Sequence, residues 1–411
     1  MNNILIIGSV WPEPNSSAAG TRMLQLIQLF LSEGWKITFA SAAAESNHMH
    51  NIETLGVTKA NIEINNDNFD NFINELNPNI VMFDRFMTEE QFGWRVAKHL
   101  PDTLRILNTE DLHSLRKTRQ ETFKAGTTFN YSDLKNSNIT KREIASIYRC
   151  DLSLIISNFE TNLLEQVFNI DKNLAYHLPF LLDPITEETK QKWPLFNKRN
   201  HFITIGNFRH EPNWNSVLYL KEIIWPLIRK QLPEVELHIF GAYPPPKATQ
   251  LHNPKQGFHI KGWAKNAQEV MKQARVCLAP LRFGAGIKGK LVEAMLCGTP
   301  SITSTIGAEG MLGEDSDWNG FIKDKPEEFA DAAIKLYNNQ NIWNQAQQNG
   351  IEIVNTLFLK EKYSNQFIQH IIELQNNLEN YRTKNFIGSM LQHHTLRSTE
   401  FMSRWIEEKN K

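Results

Sequence analysis

The feature that most constrains this chain is an alternation of short apolar runs with segments of helical periodicity. Residues 4–8 (ILIIG) and 36–40 (KITFA) are two such runs, and Thr21 to Ser32 between them carries apolar residues at helical spacing. Similar runs follow at 80–84, 105–108 and 154–157. Parallel strands need long crossover connections, usually helices, so the pattern predicts a parallel β-sheet with helices on both faces.

The same pattern starts again after residues 182–200, a polar stretch with two prolines and no periodicity, which we interpret as a linker. Five further apolar runs predict a second sheet; they lie at 202–206, 236–241, 258–262, 276–280 and 300–303. We therefore expect an α/β fold of two Rossmann-like, doubly wound domains facing a cleft, formed by residues 1–181 and 201–360. Residues 361–411 predict a helical tail that can return to the first domain.

Charge and cysteine content exclude several classes of protein. The 411 residues contain 44 Lys and Arg against 45 Asp and Glu, so the chain lacks the net positive charge of a nucleic-acid binder. Its three cysteines are too scattered for a disulfide framework, and no apolar stretch approaches the roughly 20 residues of a membrane-spanning helix. We expect a cytoplasmic protein. The basic stretch from Arg116 to Arg149 leaves peripheral contact with the inner face of a membrane open, although its interspersed acids favour a solvated helical surface.

The segment from Pro280 to Gly310 carries the clearest chemical signal. Gly284, Gly286 and Gly289 follow an apolar run and precede a helical pattern at 291–296. Glycines allow a tight turn in which backbone N–H groups converge at a helix N-terminus, and such a terminus favours a phosphate. We call residues 284–290 the glycine-rich loop and predict that it binds an anion.

Three charged side chains extend this prediction from a phosphate to a nucleotide. Lys288 and Lys290 add two mobile cations to the loop, and Glu293 lies one turn into the helix, where a carboxylate can accept both hydrogens of a ribose diol. Neither domain has a Gly-x-Gly-x-x-Gly fingerprint after its first strand, and no P-loop sequence occurs, which disfavours NAD enzymes and P-loop NTPases. The predicted ligand is a nucleotide diphosphate.

These motifs resemble the donor-binding signature of the retaining glycosyltransferases of family 4, the glycosyl transferases group 1. Beside the glycine-rich loop, the resemblance is carried by Gly206–Asn213 (GNFRHEPN), Gly262-Trp263, Glu293-Ala294-Met295 and Gly298-Thr299-Pro300 in the second half, and by Trp11-Pro12, Gly20, Arg22, Gly34, Asp111-Leu112-His113 and Arg116 in the first. It implies the GT-B architecture, in which two Rossmann-like domains face a cleft, and the use of nucleotide-diphosphate sugars.

The resemblance also implies a reaction, which is the transfer of a hexose-type sugar to an acceptor hydroxyl on a surface glycan or glycolipid, with retention and without a metal. The implied partners are the nucleotide-diphosphate sugar and the glycan or glycolipid acceptor, with no cofactor and no nucleic acid. The site residues expected on this basis are His113 and Lys288 for catalysis; Arg209, Gly284, Gly286, Lys288, Lys290 and Glu293 for the donor; and Gly20 and Arg22 on the acceptor side. Because the leaving diphosphate gains negative charge, groups that tighten on it would lower the barrier.

Two departures from the family pattern keep alternatives open. The family signature has two glutamates eight positions apart, and counting back from Glu293 reaches Ala285. Asn207 and Asn213 stand approximately where the family commonly has an Arg and a Lys. The alternatives are a nucleotide-sugar epimerase or inverting GT-B transferase, and a catalytically inactive GT-B-like binding or chaperone subunit. Asp315-Ser316-Asp317 resembles a metal-binding motif, but its context predicts an exposed loop without a metal.

Overall fold

Two parallel sheets organise the part of the chain that the computed structural model describes, residues 2–313 and 316–411. The first sheet contains β1 (Asn3–Gly8), β2 (Lys36–Ser41), β3 (Thr58–Asn61), β4 (Ile80–Asp84), β5 (Leu104–Asn108), β6 (Leu152–Ile155) and β7 (Ala175–His177). The second contains β8 (His201–Ile205), β9 (Leu237–Phe240), β10 (Phe258–Gly262), β11 (Ala274–Ala279), β12 (Ser301–Thr303) and β13 (Gly320–Ile322). We call the sheets and the helices that cover them the first and second domains.

Helices connect and cover these strands. Around the first sheet they are α1 (Ala18–Ser32), α2 (Asn68–Leu76), α3 (Phe86–His99), α4 (His113–Ala125), α5 (Tyr131–Asn136), α6 (Asn138–Arg149) and α7 (Asn158–Phe168). Those that follow are α8 (Glu187–Gln191), α9 (Glu211–Tyr219), α10 (Trp225–Gln231), α11 (Pro246–Thr249), α12 (Ala267–Gln273), α13 (Gly289–Leu296), α14 (Thr305–Ala308), α15 (Pro326–Asn338) and α16 (Gln340–Leu357). The tail contains α17 (Lys360–Asn376), α18 (Leu378–Lys384) and α19 (Phe386–Asn410).

The order of the strands places a ligand site in each sheet. The first sheet runs β3-β2-β1-β4-β5-β6-β7 and the second runs β10-β9-β8-β11-β12-β13. In each sheet the order therefore reverses beside the first strand, between β1 and β4 and between β8 and β11. Ligands of open α/β sheets bind outside the carboxyl ends of the strands at such a reversal. Both reversals lie next to the loops described below.

The sheets are covered on both faces, as the continuous apolar runs indicated. Every residue of β4 is buried, and one face of the first sheet packs on a cluster that includes Phe30 and Ile106 while the other packs on a cluster that includes Phe83 and Leu115. The three strands that the apolar runs did not predict are β3, β7 and β13, and all three are edge strands of three or four residues. An edge strand pairs on one side only and needs no long apolar run.

The tail returns to the first domain. Phe367 and Ile371 of α17 are fully buried in the core beneath the first sheet, and α19 packs against α3 and α6. The chain thus crosses between the domains twice, and the two crossings touch, because Leu182 donates to the carbonyl of Phe358 and accepts from the amide of Lys360, both at 2.8 Å. Residues 182–200 are more ordered than a loose linker, since Trp193 and Arg199 within them are buried.

None of the helices in the described residues is both long enough and apolar enough to cross a bilayer.

Candidate functional site

The glycine-rich loop connects β11 to the N-terminus of α13, and it lies directly against the first domain. Gly286 has a φ of +63°, which suits glycine, and a Cβ added there would lie 2.8 Å from the Cβ of Asp111. A Cβ on Gly289 would lie 2.4 Å from the Cβ of Ala18 at the start of α1. The loop therefore has the tight turn expected from its glycines, and its glycines also allow the two domains to approach closely.

Two side chains of the first domain hold this loop. Arg119 of α4 donates to the carbonyl of Gly284 at 2.9 Å and makes a bidentate pair with Glu309, with both N–O distances at 2.8 Å. Glu160 of α7 accepts from the amide of Gly286 at 2.8 Å. One of the loop amides expected to face a phosphate is thus engaged by a carboxyl group of the opposite domain.

Lys288 is held in place, which corrects the expectation that both lysines of the loop are mobile, and Lys290 is half-buried. Lys288 is buried at the N-cap of α13, and its ammonium donates to the carbonyl of Gly286 at 2.8 Å. Burial lowers the pKa of Lys288, while Glu309 and Glu160 favour its charged form. Lys290 lies in the first turn of α13, where burial lowers its pKa to about 8. Both cations are positioned at one helix N-terminus, where an anion is favoured.

Glu293 lies one turn along α13, as expected, and its carboxyl group is nearly enclosed. Burial raises its pKa, and a hydrogen bond with Gln268 opposes that shift. Its Oε1 has no hydrogen-bond partner among the described residues. Buried carboxylate oxygens normally find donors, so this enclosed atom is an acceptor that the protein leaves unsatisfied.

The carboxyl ends of β8, β9 and β10 carry a cluster of planar side chains. The Arg209 guanidinium lies over the Tyr243 ring at 3.7 Å from its centroid. The ring of His48, from the first domain, lies 4.9 Å from Tyr243 and 4.8 Å from Trp263, centroid to centroid. Tyr243 has a φ of +56°, which is uncommon for a residue with a side chain. Sequence reasoning missed Tyr243 and His48; the position of Tyr243 directly after a strand was the available signal.

His113 begins α4 and belongs to a cluster of buried charges. Its Nε2 lies 3.2 Å from Asp111, and burial lowers the pKa of His113 to about 4, so the ring is neutral near pH 7. Burial opposes ionisation of Asp111, but Arg116 and neighbouring cations lower its pKa to about 2. His210 of the second domain joins this cluster, and burial lowers its pKa to about 3.

Gly20 and Arg22 are packed within the first domain. A Cβ on Gly20 would lie 2.4 Å from the Glu13 backbone, so this glycine allows α1 to pack on the preceding loop. The Arg22 side chain is 1% exposed and donates to the carbonyl of Pro179 at 2.9 Å. Burial lowers its pKa to about 10. Its Nε also donates to the side-chain oxygen of Asn108 at 3.4 Å, so Arg22 is buried at the carboxyl end of β5.

A second group of charged residues at these strand ends was not predicted from the sequence. Arg85 and Glu110 follow β4 and β5 with φ values of +75° and +63°. Burial and the neighbouring Asp84 raise the pKa of Glu110, which accepts from the Asn108 amide at 2.7 Å. Uncommon backbone conformations of this kind concentrate at functional sites. A local sequence pattern does not reveal them, because they follow from the surrounding packing.

Between the domains, a cavity of about 210 Å³ opens beside the glycine-rich loop. Phe123 of α4 lines it on one side, and Arg282, Ser304 and Lys323 of the second domain line it on the other. Sites for drug-sized ligands measure roughly 300–1,000 Å³, so this cavity accommodates only part of a nucleotide sugar. The side chains expected to bind the donor, namely Lys288, Lys290, Glu293 and Arg209, do not line this cavity.

The described residues contain no group of three or more His, Cys, Asp or Glu side chains arranged to hold a metal. Of the Asp-x-Asp sequence, Asp317 is exposed, and Asp315 lies outside the described residues.

One family model matches the part of the chain that forms the second-domain side of the site. Residues 199–339 match the family model described as glycosyl transferases group 1. No curated protein matches the chain in sequence. The matched segment contains β8 to β13, the glycine-rich loop and Glu293, which are the elements that form the second-domain side of the site.

Solved structures resemble most of the chain. Sucrose-phosphate synthase from Thermosynechococcus elongatus superposes with a TM-score of 0.65 at 15% identity, covering 91% of this chain and 99% of that one. HepE from Anabaena, in complex with UDP-glucose, superposes with a TM-score of 0.65 at 12% identity, covering 91% and 100%. TarM from S. aureus, as a mutant in complex with fondaparinux, alpha-GlcNAc-glycerol and UDP, superposes with a TM-score of 0.64 at 10% identity, covering 92% and 100%. These likenesses confirm the GT-B architecture expected from the sequence.

Proposed function

We propose that this chain, a glycosyltransferase by its GT-B fold and its group 1 domain, moves a hexose-type sugar from a nucleotide-diphosphate sugar to a hydroxyl of a surface glycan or glycolipid. The transfer we propose retains configuration and needs no metal. One observation carries the proposal: the family-matched segment has Lys288 and Lys290 at the N-terminus of α13, and Lys288 lies beside the charged groups of the first domain.

The second domain offers a partner for each part of a nucleotide diphosphate. The helix N-terminus with its two lysines suits the diphosphate, and the unpartnered Oε1 of Glu293 suits a ribose hydroxyl. The flat surfaces of Tyr243 and Trp263, at the carboxyl ends of their strands, suit a nucleobase. The structural neighbours HepE and TarM bind UDP or a UDP-sugar, which supports a nucleotide sugar as donor here.

The proposed chemistry follows from where negative charge develops. When the bond between sugar and diphosphate breaks, the diphosphate oxygens become more negative, so positioned cations bind the transition state more tightly than the ground state. Lys288 and Lys290 are the cations that the loop itself carries. We assign His113, neutral and oriented by Asp111, to a hydrogen bond with the sugar or acceptor.

Isothermal titration calorimetry with a nucleotide diphosphate tests the residue assignments. Lys288→Ala, Lys290→Ala and Glu293→Ala should each weaken binding, whereas Lys230→Ala, an exposed lysine on α10, should not. Unchanged affinity in all three site variants would refute the assignments. NMR analysis of the product then tests retention, because an inverted linkage or an epimerised free donor would indicate one of the other two-Rossmann catalysts.

The inactive-subunit alternative is favoured by one observation, since Ala285 packs against the apolar core of the first domain at the position of the family glutamate. A panel of UDP-, GDP- and ADP-sugars decides between the two. Release of a nucleotide diphosphate from any donor supports a transferase, and absence of binding and release across the panel supports a binding subunit.

A further inference from the structure

The C-terminal helix α19 presents an exposed apolar face. Phe386, Met390, Phe401 and Trp405 are 74%, 46%, 69% and 61% exposed. Residues separated by about 3.6 positions, or multiples of it, share one face of a helix, and each of these four positions satisfies that spacing with the next, so that together they span an arc of roughly 100°. Ile387 and Met402 extend the same surface. We call these six side chains the α19 apolar face.

The opposite side of α19 is anchored to the first domain. Gln392 donates to the carbonyl of Arg149 at 2.8 Å, Ser403 is buried, and Glu407 pairs with Arg95 of α3. A Cβ on Gly388 would lie 2.2 Å from the carbonyl oxygen of Tyr148, so the helix lies directly on α6. The helix α19 is therefore docked on the first domain, and its apolar face is exposed because it lies on the opposite side of the helix.

The charges that accompany this face are mostly positive. The exposed cations of α19 and its last residue are Arg397, Arg404, Lys409 and Lys411. Glu400 pairs both with Lys98 of α3 and with Arg404 of α19, and Glu407 pairs with Arg95 of α3. Glu408 is exposed beside Lys411. Arg397 and Lys409 have no ion pair among the described residues, so an anionic surface meets these two cations interleaved with aromatic side chains.

We propose that the α19 apolar face docks on an anionic phospholipid surface. Phe401, Met402 and Trp405 enter the boundary between headgroups and acyl chains, and the cations beside them bind lipid phosphates. Helices that lie in a membrane interface combine these elements, namely aromatic and large aliphatic side chains on one side and Lys or Arg beside them.

A second copy of the chain fits this surface less well. The core of a protein–protein interface is depleted of charge, whereas Arg397 and Arg404 lie along the same side of the helix as Phe386 and Phe401. A lipid surface instead receives the aromatic groups and neutralises the cations.

The inference deepens the proposed function, because it places the first domain next to a membrane where a glycolipid acceptor would lie. Docking itself involves no sugar transfer, so it is measured separately. A protein that binds vesicles but no nucleotide sugar would refute the proposed function and leave the docking surface intact. The converse result would refute the docking surface alone.

The experiment is flotation of the full chain with phosphatidylcholine vesicles, with and without phosphatidylglycerol. Wild type should float with the anionic vesicles. Phe401→Ser combined with Trp405→Ser should lower the vesicle partition coefficient roughly tenfold or more. Leu195→Ser combined with Ile223→Ser removes two exposed apolar side chains elsewhere and should leave partition unchanged. Arg397→Gln combined with Lys409→Gln should weaken binding to the anionic vesicles.

A second measurement does not depend on the serine variant remaining folded. Brominated phospholipid should quench a component of the tryptophan emission in wild type that is missing in Trp405→Phe. The proposal is overturned if wild type binds no vesicles, if the double serine variant binds as well as wild type, or if Trp405→Phe and wild type are quenched equally. It is also overturned if light scattering shows a wild-type dimer that fails to bind vesicles and that the double serine variant dissociates.

Discussion

Glu160 in the first domain accepts a hydrogen bond from the amide of Gly286 in the second domain, at 2.8 Å. The same oxygen accepts from the amide of Leu112 at 3.0 Å, while the other oxygen has no hydrogen-bond partner among the described residues. Burial and the nearby Asp111 raise the pKa of Glu160. A carboxyl group from the first domain thus reaches the loop beside Ala285, the position at which the family glutamate is missing.

This contact predicts different effects for two substitutions. Glu160→Ala leaves two buried amides without an acceptor, and each unpaired group costs about 1–3 kcal/mol. Glu160→Gln keeps an acceptor oxygen and should cost less. Urea unfolding followed by circular dichroism measures both. Equal destabilisation by the two variants would show that the hydrogen bonds to the amides are not what matters at this position.

Glycine at 286 should be required, whereas glycine at 284 should be replaceable. Gly286→Ala combines a positive φ with a Cβ that contacts Asp111, and we expect a loss of about 1–3 kcal/mol in stability. At Gly284 the nearest atoms to an added Cβ lie 3.7 and 3.8 Å away, which is ordinary contact. Thermal unfolding of the two alanine variants tests the contrast. Similar melting temperatures for both would contradict the geometry of the loop.

The Arg119–Glu309 pair should hold the domains together in the absence of substrate. Arg119→Ala removes the bidentate pair and the hydrogen bond to Gly284, so the cleft should open and the radius of gyration measured by small-angle X-ray scattering should rise. Arg142 makes a bidentate pair with Glu90 within the first domain, at 2.9 and 2.6 Å. Arg142→Ala is therefore the matched control and should leave the radius unchanged. An unaltered radius for Arg119→Ala would show that other contacts keep the cleft closed.

Binding of a nucleotide diphosphate should weaken as the pH rises above about 8. Burial lowers the pKa of Lys290 to about 8 and also lowers that of Lys288, so both lose their charge well below the usual value for lysine, about 10.4. An anionic ligand favours the charged lysines, so the dissociation constant should rise by up to about tenfold per pH unit for each proton that must be taken up.

Calorimetry between about pH 7 and pH 9 tests this dependence. The control is the combined variant Lys288→Arg and Lys290→Arg, because arginine stays charged over this range and should flatten the profile. If the dissociation constant of the wild type does not change with pH, the cations that bind the diphosphate are not Lys288 and Lys290.

The central strands and the glycine-rich loop could be predicted because their signals are local. An apolar run such as residues 80–84 must be buried on both faces, and Gly286 requires a conformation that few other residues adopt. The edge strands were missed because pairing on one side leaves polar sequences such as Thr58–Asn61 unmarked. The strands that the sequence predicted are therefore the fully buried ones, and the strands that it did not predict are the less buried edge strands.

The contacts between the domains could not be predicted, because they depend on how separate segments meet in space. Arg119 was visible only as part of a basic stretch, and nothing in its neighbourhood indicated a pair with Glu309, 190 positions away. For Lys288, only part of the outcome could be predicted from the sequence. Its presence in the loop was predicted, but its burial follows from the approach of the first domain.

The two adjacent crossings at Leu182 and Leu359 restrict how the cleft can open. Because hydrogen bonds join the crossings side by side, the domains are tied along a short line and not at a single flexible point. We therefore expect the domains to rotate about that line when the cleft opens. A chain ending at residue 359 would lose the hydrogen bond from Lys360 to Leu182 together with the apolar side of α17. The first domain therefore needs residues from both ends of the sequence.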